Sequence, residues 1–561
     1  MLGCVVMAHR HRGRSLRVAL LLLAFVLGAC SAAVAPAPAA PAAPAAPAPA
    51  AAPAASAATP PAAAPAARPV AITILHTNDH HGHAWRWQSR DRHVGSLAAR
   101  AALVARIRAE VARDGGHVLL LDAGDFNTGS YCSDELKAEP DLDAYRRMGY
   151  DAVGMGNHEF DQPYEVLRRQ AERAGFRFLG ANVVLRDGGK PAFGDAAEWT
   201  IGGVRVAVMG LTHGDTPQLS THGKDPRLRF LPPPTVAAAR VPELRARARV
   251  VVGLFHLDLP DIERLVAAVP GVDVVVSGHD HRPLHTPLKA GTTTIVQAGS
   301  EGQFLGRVDL EVPPRGPVVV RRTRLYPIGG DLPEARDVAE RLAAFRKRCT
   351  GDEVVGHLAT PARRDDHVEG PGTPSPLHNL VADAFRATAR ADVAFTNRGG
   401  VRTDLPAGPI TRQQLHDVLP FADTLTVFGV TGADLARLVT EMSRREPGGQ
   451  GTLYPAGIDI RFQGPGRAEV RRNGRSLRAA DRMTLVVSTF LAGGGDGYKT
   501  FATLRPGKAL PLSPKAALEA YLKAHDPARP PCEARVRWDR PPGYRAPRPC
   551  QQQGTRSERV P

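Results

Sequence analysis

Five short apolar runs between Val70 and Val276 each stop at a cluster of Asp, His or Asn. Val70 to Leu75 ends at Asn78-Asp79-His80-His81, and Val118 to Leu121 at Asp122-Ala123-Gly124-Asp125. Ala152-Val153 leads to Gly156-Asn157-His158, Val250 to Phe255 to His256, and Val272 to Val276 to Gly278-His279-Asp280-His281. Runs this short and this uniformly apolar suit strands buried on both faces, and the Ala/Arg/Leu-rich stretches between them, such as Leu97 to Arg113 and Pro163 to Ala174, have helical composition. The alternation predicts a layered α/β domain. Such sheets build their sites along the C-terminal edge of the strands, so five separate segments are expected to converge on one site.

The side chains at those strand ends form a metal-ligating set: Asp79, His81, Asp125, Asn157, His256, His279 and His281. Carboxylates and imidazoles without thiolates suit divalent ions such as Mn, Zn, Co or Mg. Seven ligands are too many for one ion and suit two that share a bridging carboxylate. A pair of ions about 4 Å apart can activate a water and stabilise the oxygens of an in-line phosphoryl displacement. His80, His83 and His93 read as loop residues, and Asp122 as a strand end that caps its turn. His213 and Asp258 lie near the same edge and are left outside the set.

At 561 residues the chain is long enough for two or three domains. With 43% hydrophobic and 23% charged residues it can fold as a globule. The net charge of +16 raises the question of nucleic acid. Much of the excess sits at Arg10 to Arg17 and in the tail after Arg529, with no recognition motif beside it, so no nucleic-acid partner is expected.

The N-terminus reads as a targeting segment. A basic stretch, His9 to Arg17, precedes an apolar run from Val18 to Leu27 that is shorter than the roughly 20 residues of a membrane span. It ends in Leu27-Gly28-Ala29-Cys30, which resembles the bacterial lipobox, so residues 1–30 are expected to be a lipoprotein signal peptide with Cys30 the lipid-bearing anchor. Residues 31–69, almost entirely Ala and Pro, read as an extended tether. The expected location is outside the cytoplasm, on the periplasmic or cell-surface side of a membrane. Cys132, Cys349, Cys532 and Cys550 remain after processing; four cysteines allow three pairings, and a Cys532–Cys550 loop in the tail is one of them.

A second region follows Pro333. Glu340 to Arg348 and Leu377 to Thr388 read as helices, and Val393 to Thr396, Leu425 to Val430 and Thr484 to Thr489 as strands, giving a separate α+β domain. Phe421 and Phe490 are candidate stacking faces for a base, and the Gly493-Gly494-Gly495-Asp496 run after Phe490 suits an open, tightly turning loop.

The ordered set Asp79-His80-His81, Gly124-Asp125, Gly156-Asn157-His158-Glu159-Phe160-Asp161, His256 and Gly278-His279-Asp280-His281 resembles the calcineurin-like metallophosphoesterases, and specifically the bacterial 5′-nucleotidase and UDP-sugar hydrolase family, over about Ala71 to Phe501. The resemblance implies a four-layer metallophosphoesterase β-sandwich flanked by helices, plus a separate α+β nucleotide-binding domain. It puts Asp79, His81, Asp125 and His281 around one metal and Asp125, Asn157, His256 and His279 around the other, with Asp125 bridging. His158 would stabilise charge on the phosphate or protonate the leaving group, and Asp161 would orient it. The expected domains are 70–332 (catalytic), 333–356 (linker helix), 357–525 (substrate-binding) and 526–561 (a Pro/Arg-rich, poorly ordered tail).

In the second domain the resemblance makes Phe421 and Phe490 a base clamp and gives Asp496 the ribose hydroxyls. Asn397-Arg398-Gly399-Gly400-Val401-Arg402 resembles that domain's Asn-Gly-Gly-Gly-Ile-Arg motif, which assigns Asn397 to base or ribose and Arg402 to phosphate or ribose. Departures are Arg398 and His378 in place of glycines, and Asp423 where an Asn often lies near the base. The expected function is an exported, monomeric 5′-nucleotidase acting on nucleotides, with UDP-sugar or other nucleotide pyrophosphates as further substrates. A 2′,3′-cyclic phosphodiesterase/3′-nucleotidase typically carries a Tyr-led second aromatic motif, against Phe490-Leu491-Ala492 here. A thiosulfate-ester hydrolase would lack the clamp, and a non-catalytic nucleotide-binding lipoprotein would be expected to have lost a ligand.

Overall fold

The computed structural model describes residues 68–89, 92–364, 375–445, 451–464, 466–505 and 507–538. The expected signal peptide, Cys30, nearly all of the tether, and Cys550 lie outside those residues. Among the described residues, no helix is long and apolar enough to cross a membrane.

Four parallel strands open the first domain: β1 (Val70–Thr77), β2 (His117–Asp122), β3 (Ala152–Gly154) and β4 (Arg177–Leu179) lie side by side in that order. A second sheet carries β5 (Val204–Thr212), β6 (Val250–His256) and β7 (Val274–Gly278), again adjacent and parallel. The chain then returns to the first sheet as β8 (Phe304–Val312), antiparallel to β1. Between the sheets, Ile72, Ile74, Leu119 and Leu121 meet Val206, Val208, Val250, Val252, Leu254, Val274 and Val276.

The alternate residues face helices. Leu75, Leu120 and Val153 pack on α1 (Leu97–Arg113) and its neighbours, while Val251, Phe255 and Val275 pack on the helix Pro233–Arg247 and on α2 (Leu259–Ala268). Parallel strands covered on both faces are expected to be apolar throughout, which explains the uniform runs. The order helix, sheet, sheet, helix is the four-layer sandwich expected. The helix expected from Glu340 to Arg348 runs instead as α3 (Arg336–Arg346), and its Val338 and Leu342 join the α1 core.

The second domain is built on a five-stranded mixed sheet that contains β9 (Val393–Asn397), β10 (Leu425–Thr431) and β11 (Arg482–Ser488). β9 runs parallel and β10 antiparallel to β11. Thr489 leaves the strand and starts a short helix, capped by the Ser488 hydroxyl.

The tail corrects an expectation. Pro527 to Trp538 is not a poorly ordered appendix: Val536–Trp538 pairs in parallel with Asp459–Gly464, and Arg535 holds Asp383 at 2.7 Å. Asn379 Nδ2 donates to the carbonyls of Pro531 and Glu533 at 3.1 and 2.9 Å. Proline content alone misled, because the segment gets its partners from residues about 75 to 155 positions upstream. Among the described residues, Cys132 and Cys349 form a disulfide, which joins the catalytic domain to the chain just after α3.

Candidate active site

Seven side chains converge where the parallel strands end. Asp79 and His81 follow β1, Asp125 follows β2 and Asn157 follows β3. His256 ends β6, and His279 and His281 follow β7. The ligand atoms of Asp79, His81 and His281 lie within 4.8 Å of one another, as do those of Asp125, His256 and His279. Asp125 Oδ2 stands 3.0 Å from His256 Nε2 and 3.9 Å from His81 Nε2, so this one carboxylate reaches both groups. Asn157 Oδ1 meets His279 Nδ1 at 3.0 Å.

The backbone is bent to make this possible. Asp79, His81, Asp125, His279 and His281 have φ of 49°, 49°, 57°, 92° and 58°, a region that costs non-glycine residues energy and persists where the surroundings enforce it. The enforcing contacts are visible. Glu159, fully buried, accepts backbone N–H bonds from Asp125 and Gly156 on Oε2 and from Phe126 and Asn127 on Oε1, at 2.6–3.2 Å. It ties the loop after β2 to the turn after β3. Burial pushes its pKa up to about 7, with the Asp125 charge acting in the same sense against those amide bonds. Gly278 is needed because a Cβ there would stand 2.6 Å from His256 Nδ1.

The residues fit cations. His81 Nδ1–H donates to the Thr128 carbonyl at 2.9 Å, which leaves the Nε2 lone pair facing His281 Nε2 at 3.1 Å. His256 Nδ1–H donates to the Ala123 carbonyl at 2.9 Å, and its buried Nε2 lacks a well-formed hydrogen bond although Asp125 lies close. Imidazole lone pairs and carboxylates aimed at a common space are a donor set for divalent ions.

His158 sits beside this cluster. Its backbone N–H donates to Asp125 Oδ1 at 2.8 Å and its Nδ1 meets Asp161 Oδ2 at 2.6 Å. Asp161 Oδ1 in turn accepts the Thr221 N–H at 2.8 Å. Burial opposes charge on His158, but Asp125 and Asp161 outweigh it and hold the imidazole pKa above its ordinary value.

The second domain completes the cleft. Asn397 ends β9, Arg402 follows it, Phe421 precedes β10, and Phe490 and Asp496 follow β11. One open cleft is lined jointly by Asp125, Asn157, His158, His279 and His281 from one domain and by the five substrate-binding candidates from the other. Arg402 Nη2 lies 3.3 Å from His81 Nε2, and Asn397 Nδ2 donates to Asp496 Oδ2 at 2.8 Å. Asp423, which departs from the family motif, accepts the Thr489 hydroxyl and the Phe490 N–H on one oxygen, at 2.7 and 2.9 Å, and lines the same cavity.

Several residues here escaped the sequence reading. Glu159 had no signal apart from its place inside the Asn157-to-Asp161 motif, and the lining residues Leu219, Ser220 and Thr221 had none. His80 lies in a loop, as expected, but is fully buried there, accepting from Arg100 Nη2 at 3.3 Å and meeting Asp141 at 3.0 Å. Its polar surroundings come from α1 and a distant helix, which local composition does not reveal.

Residues 72–283 match the family model of calcineurin-like phosphoesterases, and residues 354–503 that of the 5′-nucleotidase C-terminal domain. Protein UshA of Yersinia enterocolitica is 30% identical over 507 residues, covering 81% of this chain and 91% of that protein. A 5′-nucleotidase of Vibrio parahaemolyticus is 29% identical over 506 residues, covering 81% and 90%. Among solved structures, a 5′-nucleotidase precursor from Thermus thermophilus superposes with a TM-score of 0.75 at 28% identity, over 84% of this chain and 100% of that one.

Proposed function

The chain belongs to the 5′-nucleotidase family of calcineurin-like phosphoesterases, and we propose on that basis that it removes phosphate from nucleotides outside the cytoplasm, held to a membrane through Cys30. It is a metal-dependent phosphoester hydrolase that uses two divalent ions. One ion is assigned to Asp79, His81, Asp125 and His281 and the other to Asp125, Asn157, His256 and His279. The observation that carries the reading is the single cavity shared by this cluster and by Phe421, Phe490 and Asp496.

The bound ions supply Lewis acidity and an activated water for attack at phosphorus. The protein's own groups do the rest. Arg402, beside His81, is suited to neutralise phosphate oxygens, and its planar fork matches that geometry. His158, whose protonated form Asp125 and Asp161 favour, is placed to steady the charge that builds on the phosphoryl group and to protonate the departing oxygen. Phe421 and Phe490 grip the base, and Asp496 with Asn397 faces the ribose. UDP-sugars and other nucleotide pyrophosphates are proposed as further substrates, because the cleft continues past the metal cluster into the second domain.

A substrate panel of nucleoside monophosphates, a UDP-sugar, a 2′,3′-cyclic nucleotide and an aryl phosphate, run with Mn²⁺, Co²⁺, Zn²⁺ or Mg²⁺, tests the reading. Nucleoside 5′-monophosphates are expected to be turned over, with all activity lost on chelation and restored by a divalent ion. Turnover that survives complete metal removal, checked by elemental analysis, overturns the two-metal assignment; preference for the cyclic nucleotide overturns the substrate assignment.

A further inference from the structure

Two residues outside the seven ligands, His213 and Asp258, form a connected line with one of them, His279. His213 directly follows β5, Asp258 lies two residues past β6, and His279 directly follows β7. Because β5, β6 and β7 are neighbours in that order, the sheet delivers Asp258 between the two histidines. His213 Nε2 is 3.2 Å from Asp258 Oδ2, and His279 Nε2 is 3.7 Å from Asp258 Oδ1.

Taken only as a cluster, His213, Asp258 and His279 look like a third cation site. The hydrogen bonds argue otherwise. The Asp215 N–H donates to His213 Nδ1 at 3.1 Å. That nitrogen is therefore an acceptor, the ring proton is on Nε2, and His213 donates to Asp258. No lone pair of His213 is left for a cation. Asp258 stands at the N-terminal boundary of α2 without making a side-chain cap bond, so its carboxylate is available to the two imidazoles.

His279 has the complementary arrangement. Its Nδ1 faces Asn157 Oδ1 at 3.0 Å, inside the ligand cluster, and its Nε2 faces Asp258. A ring that must offer a lone pair on Nδ1 has to carry its proton on Nε2, and a carboxylate facing Nε2 selects that tautomer. The separation of 3.7 Å is ion-pair reach. The Asp258 side chain is nearly half exposed, with freedom to close on the imidazole when Nδ1 is engaged.

We propose that His213 and Asp258 are positioning residues that fix the tautomer and aim of His279, and so set the affinity of the metal position formed by Asp125, Asn157, His256 and His279. This rests on the two-metal assignment above. Asp258 acts on the cation only through His279, and His213 acts through Asp258 and through its own ring contact with His279, the two centroids lying 5.1 Å apart.

The test uses metal-loaded protein with Mn²⁺, challenged by a graded competing chelator, with ions retained per chain counted by elemental analysis and the fold followed by thermal melting. Asp258→Ala and His213→Ala are expected to lose one of the two ions at roughly 10–100-fold lower chelator activity than the unmodified protein, the range for losing a group that orients a ligand. The other ion and the metal-loaded melting temperature stay near their original values. His213→Gln, whose amide N–H can still donate to Asp258, restores retention most of the way. Retention of both ions by Asp258→Ala at the original chelator activity overturns the proposal. So does equal loss of both ions with a lowered melting temperature, or failure of His213→Gln to improve on His213→Ala. If the unmodified protein itself never holds two ions, the underlying metal assignment fails instead, and the two failures are told apart.

Discussion

The ring of Phe421 stacks on the imidazole of His158, with centroids 5.5 Å apart and planes inclined by 25°. These residues come from different domains, one proposed to hold the base and the other to act on the phosphate. Further contacts link the two parts of the chain elsewhere: the Tyr131 N–H donates to Asp417 at 2.8 Å, His416 meets Asp134 at 2.7 Å, and Arg346 donates to Gln413 at 2.6 Å. The clamp therefore faces the metal cluster across one cleft.

Replacing each member of that stacked pair should separate chemistry from binding. His158→Ala is expected to lower kcat by about 10²–10⁴ with both metals retained, the usual range for a positioned acid–base group. Phe421→Ala and Phe490→Ala should mainly raise KM, because stacking holds the substrate before and during reaction alike. Steady-state kinetics with parallel metal analysis checks this, and loss of metal from His158→Ala would falsify its assigned role.

The pH profile should report on Asp161. His158 has its pKa raised above the ordinary value, with Asp125 and Asp161 overcoming burial. The protonated form therefore persists above the usual histidine range and is lost as pH rises through the raised value. Asp161→Asn removes one raising cause, so the alkaline limb of kcat should move to lower pH. An unmoved limb, or one shifted upward, would detach Asp161 from the titration.

The Cys132–Cys349 bridge closes a long loop, with the two residues 217 positions apart. Such crosslinks stabilise chiefly by restricting the unfolded chain, and losing one typically costs about 2–4 kcal/mol. Cys132→Ser should accordingly lower the melting temperature while sparing kcat toward an aryl phosphate. Calorimetry on oxidised protein gives the comparison, and unchanged stability would mean the bridge constrains little.

Asp423 should influence which base is preferred. It braces Phe490 through the Thr489 hydroxyl and the Phe490 N–H, and burial raises its pKa. Asp423→Asn keeps the shape and the acceptor but adds N–H donors. The expected result is a change of roughly tenfold in relative kcat/KM among AMP, GMP, CMP and UMP, the scale of one hydrogen bond to a charged group. Activity on an aryl phosphate should stay constant, and an unaltered ranking would remove Asp423 from base selection.

Much of the first domain was legible in the chain itself, because burial on both faces demands uninterrupted apolar strands and the site residues must then fall at their ends. Asp79, His81, Asp125, Asn157, His256, His279 and His281 announce themselves by chemical type at those boundaries. What the residue string alone determined was therefore the layered class and the inventory of candidate ligands and aromatic candidates. Sheet order decided the rest. Whether Asp258 falls between His213 and His279 depends on β6 lying between β5 and β7. Whether Glu159 is a surface acid or the brace of two strained loops depends on which backbone amides fold over it. The tail was misread for the same reason: Val536–Trp538 becomes a strand only because Asp459–Gly464 offers it a free edge. Hydrogen-bond partners far apart in sequence leave no local pattern, since the chain pays the entropy of bringing them together only when the whole core forms.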